Sequence, residues 1–160
     1  MKYEISNGTL AIVPEKEGSI VYEDDEQYNI GETPFKIMED SCMYFGSSYN
    51  GRKESAREIL GAEYKVPILV EDSDNLIVFP TTSPLSSDCV WISLKRIKNF
   101  EKIDGYNTKI IFDQNSLTEE NAKKIIETIA NRDMDAAVDA VCQHIDNQVS
   151  AVIDTIRMEK

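Results

Sequence analysis

Histidine is almost missing from this chain: His144 is the only one in 160 residues. Without a second histidine, a Ser-His or Cys-His couple must run through that one side chain. It sits inside an apolar-striped tail segment beside Ile145, a position that suits a surface or half-buried imidazole better than a catalytic one. Cysteine is scarce too. Cys42, Cys89 and Cys142 are far apart, odd in number and without a C-x-x-C spacing. That excludes a zinc ribbon or finger and favours buried, reduced thiols. No apolar run approaches the length of a membrane span, and Lys2, Glu4 and Glu15 interrupt the opening stretch, so a soluble cytoplasmic protein is expected. Basic residues are outnumbered, 17 Lys and Arg against 29 Asp and Glu, for a net charge of -12. Such a charge disfavours nonspecific contact with nucleic acid and anionic lipid.

What remains is ample for folding. At 41% hydrophobic residues the chain can bury a core without disulfides or metals. The length suits one domain with a helical appendage. Asn7-Gly8 reads as a hairpin turn between Tyr3–Ile5 and Leu10–Val13, with Pro14 and Gly18 ending the second strand. Ser19–Tyr22 is a third short strand, followed by the carboxylate run Glu23–Glu26. Tyr28–Ile30 and Pro34–Met38 are read as one or two further strands. Val66–Val70 and Leu76–Phe79 form a hairpin about a polar loop, and Val90–Leu94, with Trp91, and Thr108–Phe112 are strands as well.

The stretch from Cys42 to Lys53 is denser in chemistry than the rest. Met43-Tyr44-Phe45 reads as buried. Gly46-Ser47-Ser48 permits a sharp turn in which either serine can cap a helix. That helix covers Arg52–Leu60, with Gly61 at its C-cap, Ala56, Ile59 and Leu60 on one face, and Arg52, Lys53 and Arg57 on the other. The turn lacks the G-x-x-x-x-G-K-[ST] order of a nucleotide-binding loop, because Arg52-Lys53-Glu54 follows its second glycine. A backbone phosphate at a helix N-terminus is a reading its small residues and cations still allow. A plain capped turn is the other.

Charge is unevenly spread. Residues 1–45 carry -7, 46–66 carry +1, 67–115 carry -2 and 116–160 carry -4. A second small basic cluster is Lys95, Arg96 and Lys98, with Lys102 close by. Past Asn115 the character changes. Ser116-Leu117-Thr118-Glu119 matches a capping box for a helix to about Asn131, and Asp133 can cap another to about Met158. Val138, Val141, Ile145, Val149, Val152 and Ile156 form its apolar stripe, suited to packing on the domain or to self-association. The expected architecture is therefore α+β: a mainly antiparallel β portion with one central helix over residues 1–115, then a two-helix tail over 116–160.

Cys42-Met43-Tyr44-Phe45-Gly46-Ser47-Ser48-Tyr49-Asn50-Gly51-Arg52-Lys53 resembles the hallmark of the ComK family of bacterial competence transcription factors. Lys65-Val66-Pro67-Ile68, Phe79-Pro80-Thr81 and Cys89-Val90-Trp91-Ile92-Ser93 follow in the family's order, and Asn7–Glu15 is similar too. The resemblance covers about residues 1–113. It implies a DNA-binding transcriptional activator with no enzymatic activity and no cofactor. The implied partner is A/T-rich double-stranded DNA, approached largely through the minor groove, which attracts Arg and Lys. The resemblance also implies a homo-oligomer, and control by a MecA-type adaptor that delivers it to a Clp protease. The DNA-contacting candidates are Ser47, Ser48, Tyr49, Arg52, Lys53, Arg57 and Lys65; Arg57 enters through the helix placement and not through the motif. Past Phe112 the family continues with a polar segment and a basic end, whereas this chain carries an acidic tail. A second reading follows from that departure: a ComK-like protein that regulates through protein contacts made by the tail, without binding DNA.

Overall fold

The computed structural model describes residues 2–104 and 108–112. They form mainly antiparallel strands with two helices. The two expected tail helices, and the boundary at Asn115, lie outside these residues.

Six strands make the main sheet: β1 (Ala11–Glu15), β2 (Gly18–Tyr22), β3 (Gln27–Ile30), β4 (Ile68–Glu71), β5 (Leu76–Pro80) and β6 (Trp91–Ser93). Their spatial order is β3-β2-β1-β6-β5-β4, and every pairing is antiparallel. Two three-stranded meanders thus meet at the centre, where β1 pairs with β6 through Ala11–Ile92 and Ile12–Trp91. The chain travels from one edge, β3, to the other, β4, through helices α1 (Pro34–Tyr44) and α2 (Tyr49–Leu60).

Alternation along the strands fills two separate cores, as period-two side-chain geometry requires. Ile12, Val21, Val78, Trp91, Ile68 and Val70 face one way and meet Ile37, Met38 and Cys42 of α1 and Tyr49 of α2. Ala11, Val13, Tyr22, Phe79 and Ile92 face the other way. There they meet Ile110 and Phe112 of a two-stranded sheet, β7 (Ile97–Lys102) and β8 (Thr108–Phe112), reached by a 3-10 turn at Leu94–Arg96. The main sheet is therefore covered by helices on one face and by a β-ribbon on the other. Trp91 is fully buried and stacks edge-on to Tyr49, ring centres 6.2 Å apart.

Several readings of the sequence are corrected here. Residues Pro34–Met38 are the first turns of a helix, so there are two helices in the described residues and not one. Thr33 is its N-cap, its hydroxyl accepting from the Lys36 amide, and Pro34 is pre-set for the first helical position. Ile37, Met38, Ser41 and Cys42 are its buried stripe.

The first hairpin turns at Glu15–Gly18, not at Asn7-Gly8. Asn7-Gly8 is a turn, closed by the Thr9 amide donating to Ser6 O at 3.0 Å, but Tyr3–Ile5 forms no ladder with β1. Instead Ile5 N–H donates to Ser41 Oγ at 3.1 Å, which pins the N-terminal segment to α1. Pro14 continues β1 because β6 pairs only with Ala11 and Ile12, so its missing N–H removes no bond on that side.

Met43 and Tyr44 are not buried: they are 61% and 63% exposed, at the outer end of α1. The apolar face expected on α2 is also largely solvent-facing, Ile59 being exposed and Tyr49 the one buried residue of that helix.

Candidate nucleic-acid interface

The α1–α2 junction is built by local rules. Gly46 adopts φ +95°, a conformation L side chains rarely adopt, and nothing lies within 4 Å of where its Cβ would be. Ser47 N–H closes the turn on Cys42 O at 3.2 Å. Ser48 is the N-cap of α2, its Oγ accepting from the Gly51 amide at 3.1 Å. Gly51 sits where a Cβ would stand 3.2 Å from that Oγ, so a small residue keeps the cap close. Gly61, at φ +62°, ends the helix with its amide on Arg57 O at 2.9 Å.

The candidate residues separate into an outer and an inner group. Ser47, Ser48 and Arg57 are exposed, and Lys53 is half-buried. Tyr49 is buried, wedged edge-on between Phe35 and Trp91, and burial pushes its hydroxyl pKa up to about 12. Arg52 turns inward with its side chain only 12% exposed. One Nη donates to Leu69 O at 2.6 Å, the other to Phe45 O at 3.0 Å, and Asp72 stands 3.8 Å away. This guanidinium ties the end of the α1 turn to β4. Lys65 is half-buried with φ +51°, and burial lowers its pKa.

The surrounding charge is mixed. Arg57 reaches Glu63 at 4.0 Å, and Glu54, Glu58 and Glu63 line a shallow hollow with it. Two members of the second basic cluster, Lys95 and Arg96, are drawn into internal contacts. Arg96 grips the Asp24 carboxylate with both Nη groups and donates to Asn7 O at 2.7 Å, while Lys95 Nζ donates to Asp74 O at 3.1 Å. Arg52, Arg57 and Arg96 are thus each engaged by partners within the protein. No group of three or more His, Cys, Asp or Glu that could hold a metal occurs among the described residues. No described helix is long and apolar enough to cross a membrane.

The molecule thus combines a double meander, a Gly-Ser-Ser turn into a capped helix, and a tryptophan strand at the centre. The chain belongs to the ComK family: the model described as "ComK protein" matches residues 1–134. The match runs past the 113 residues of the motif resemblance and takes in the first predicted tail helix. The chain is 35% identical over 114 residues to the competence transcription factor of Bacillus subtilis (strain 168), covering 69% of this chain and 59% of that protein. It therefore spans about three fifths of the length of that relative. No solved structure matches the chain significantly.

Proposed function

We propose that this protein is a transcriptional regulator of the competence type that binds A/T-rich double-stranded DNA and performs no catalysis. The observation that carries the reading is the 35% identity to a protein named a competence transcription factor. Activation of competence genes, self-association, and an adaptor of the MecA type that passes the protein to a Clp protease belong to the same proposal. On the α2 side the contacts are assigned to Ser47, Ser48, Lys53 and Arg57, with Lys65 at the periphery. Tyr49 and Arg52 support the turn from within and do not touch the duplex.

The test is binding of a paired A/T-rich duplex by fluorescence anisotropy across a salt series, for the full chain and for Lys53→Ala/Arg57→Ala. Each phosphate contact contributes about 0.9 to the slope of log K against log salt, so the double variant is expected to flatten the slope by up to about 1.8. Absence of binding at low salt, where electrostatics favour it most, overturns the proposal.

A second reading has an observation of its own. In a chain of net charge -12, the guanidiniums of Arg52, Arg57 and Arg96 all have partners within the protein. On that reading the protein regulates by binding other proteins, and the low-salt experiment separates the two.

A further inference from the structure

The most basic stretch of the chain is not the one its motifs single out. All five Lys and Arg of residues 67–115 fall between Lys95 and Phe112, against two acids there, Glu101 and Asp104. Eighteen residues thus carry +3 in a chain of -12. The fold gathers most of that charge on the β7–β8 ribbon, which is a sheet of its own and hangs on the main sheet by one end. Ile97, Ile110 and Phe112 pack against Leu10, Tyr22, Phe79 and Ile92. The other end reaches away: Glu101, Lys102, Ile103 and Asp104 are all exposed.

The register decides which side chains share a surface. Asn99 stands opposite Ile111, and Glu101 opposite Lys109, whereas the Ile97–Phe112 pair lies on the packed side. Lys98 falls in the irregularity between Ile97 and Asn99, where a bulge re-aims a side chain. It is exposed and makes no ion pair among the described residues. Beyond the last paired residue, Ile103 is 57% exposed, a large apolar group held out on a basic arm. A ribbon of one six-residue and one five-residue strand is roughly 17–20 Å long and about 5 Å between strands, a shape that lies along a DNA groove. Minor-groove proteins combine such cations with apolar side chains set against base steps.

Resting on the DNA-binding reading above, we infer that the β7–β8 ribbon is a DNA-contacting arm. Lys98 and Lys109 meet backbone phosphates, and Ile103 meets the base edges in the groove. The ribbon covers the face of the sheet opposite to α2, so its contacts are separate from those assigned to Ser47, Ser48, Lys53 and Arg57.

The experiment is anisotropy on the A/T-rich duplex across salt, with the full chain and three variants whose folding is checked by circular dichroism. Lys98→Ala/Lys109→Ala is expected to flatten the slope by about 1.8, two contacts at about 0.9 each. Ile103→Ser is expected to weaken binding several-fold with the slope unchanged, because no charge is removed. Lys16→Ala, in the β1–β2 turn, is expected to change neither. If the parent binds and the lysine pair variant keeps its slope and affinity, the ribbon proposal is overturned while the DNA reading stands. An unchanged affinity for Ile103→Ser overturns the groove contact. If the parent binds no duplex at low salt, the DNA reading itself falls.

Discussion

Arg52 is the residue whose replacement distinguishes structure from DNA contact most sharply. Its guanidinium donates to two carbonyls, Phe45 O at 3.0 Å and Leu69 O at 2.6 Å, and both bonds are charge-assisted. A hydrogen bond to a charged group contributes about 1.5–3 kcal/mol. The two together are therefore worth roughly 3–6 kcal/mol. Nε, buried without a partner among the described residues, subtracts about 1–3 kcal/mol. The pair with Asp72 adds little, since that carboxylate is 82% exposed and screened by solvent. The net expectation for Arg52→Ala is a loss of about 3 kcal/mol. In a urea titration with a slope of roughly 2 kcal/mol/M, the midpoint falls by about 1.5 M. Arg52→Lys keeps the charge but cannot fork to both carbonyls, so it is expected to recover about half of the loss. Under conditions where Arg52→Ala is folded, its salt slope for DNA should equal the parent's. A midpoint within about 0.3 M of the parent, with a slope flattened by about 0.9, would refute the inward role and make Arg52 a phosphate contact.

Other expectations follow from single features. Gly18 adopts φ +122°, and a Cβ there would stand 2.0 Å from Ile30 O, so Gly18→Ala should abolish or severely reduce folding as read by circular dichroism. Gly46→Ala, with open space around it, should remain folded at a cost of about 1–2 kcal/mol. Ser48→Ala removes the α2 cap and should lower stability by about 1 kcal/mol in the same urea assay. Burial raises the Cys42 thiol from 9.0 to about 11. An acid held more tightly in the native state contributes stability that is complete below its unfolded pKa and declines as pH rises through the folded one. Cys42 should therefore add no pH dependence below about pH 9 and a loss of stability between about 9 and 11, a window removed by Cys42→Ala. The same burial predicts that native Cys42 and Cys89 resist a thiol reagent until the protein is unfolded.

Much of the fold was readable wherever local chemistry and tertiary placement agree. Ser48 and Gly61 bracket α2 as caps should, β4 and β5 are short apolar runs joined by a polar turn, and β8 is a short apolar run. The first helix was missed although Thr33-Pro34 is a start signal, because Pro34–Met38 is too short a window to separate a helix stripe from a strand. Asn7-Gly8 misled because its flanking apolar residues are buried on different faces of the sheet: Ile5 packs with α1, its amide on Ser41, 36 residues away, while Leu10 packs with Ile110 and Phe112 of the ribbon. Met43 and Tyr44 look like core by composition, but the helical turn that buries Met38 and Cys42 carries them outward. At the candidate site the sequence shows which cations are present but not where they point. The acceptors that turn Arg52 inward lie 7 and 17 positions away, and those that hold Arg96 lie 72 and 89 away. The ribbon's basic character was legible in part, as the cluster of Lys95, Arg96, Lys98 and Lys102; that Lys109 joins Lys98 and Lys102 on one ribbon depends on the β7–β8 pairing.

Binding of DNA by so acidic a chain through limited basic surfaces is tested most directly by a salt titration of the 160-residue chain on a paired A/T-rich duplex. Saturable binding at low salt, weakening linearly in log salt and stronger than for a G/C-rich duplex of equal length, is the predicted result. Absence of binding at the lowest salt, or equal affinity for both duplexes, would contradict it.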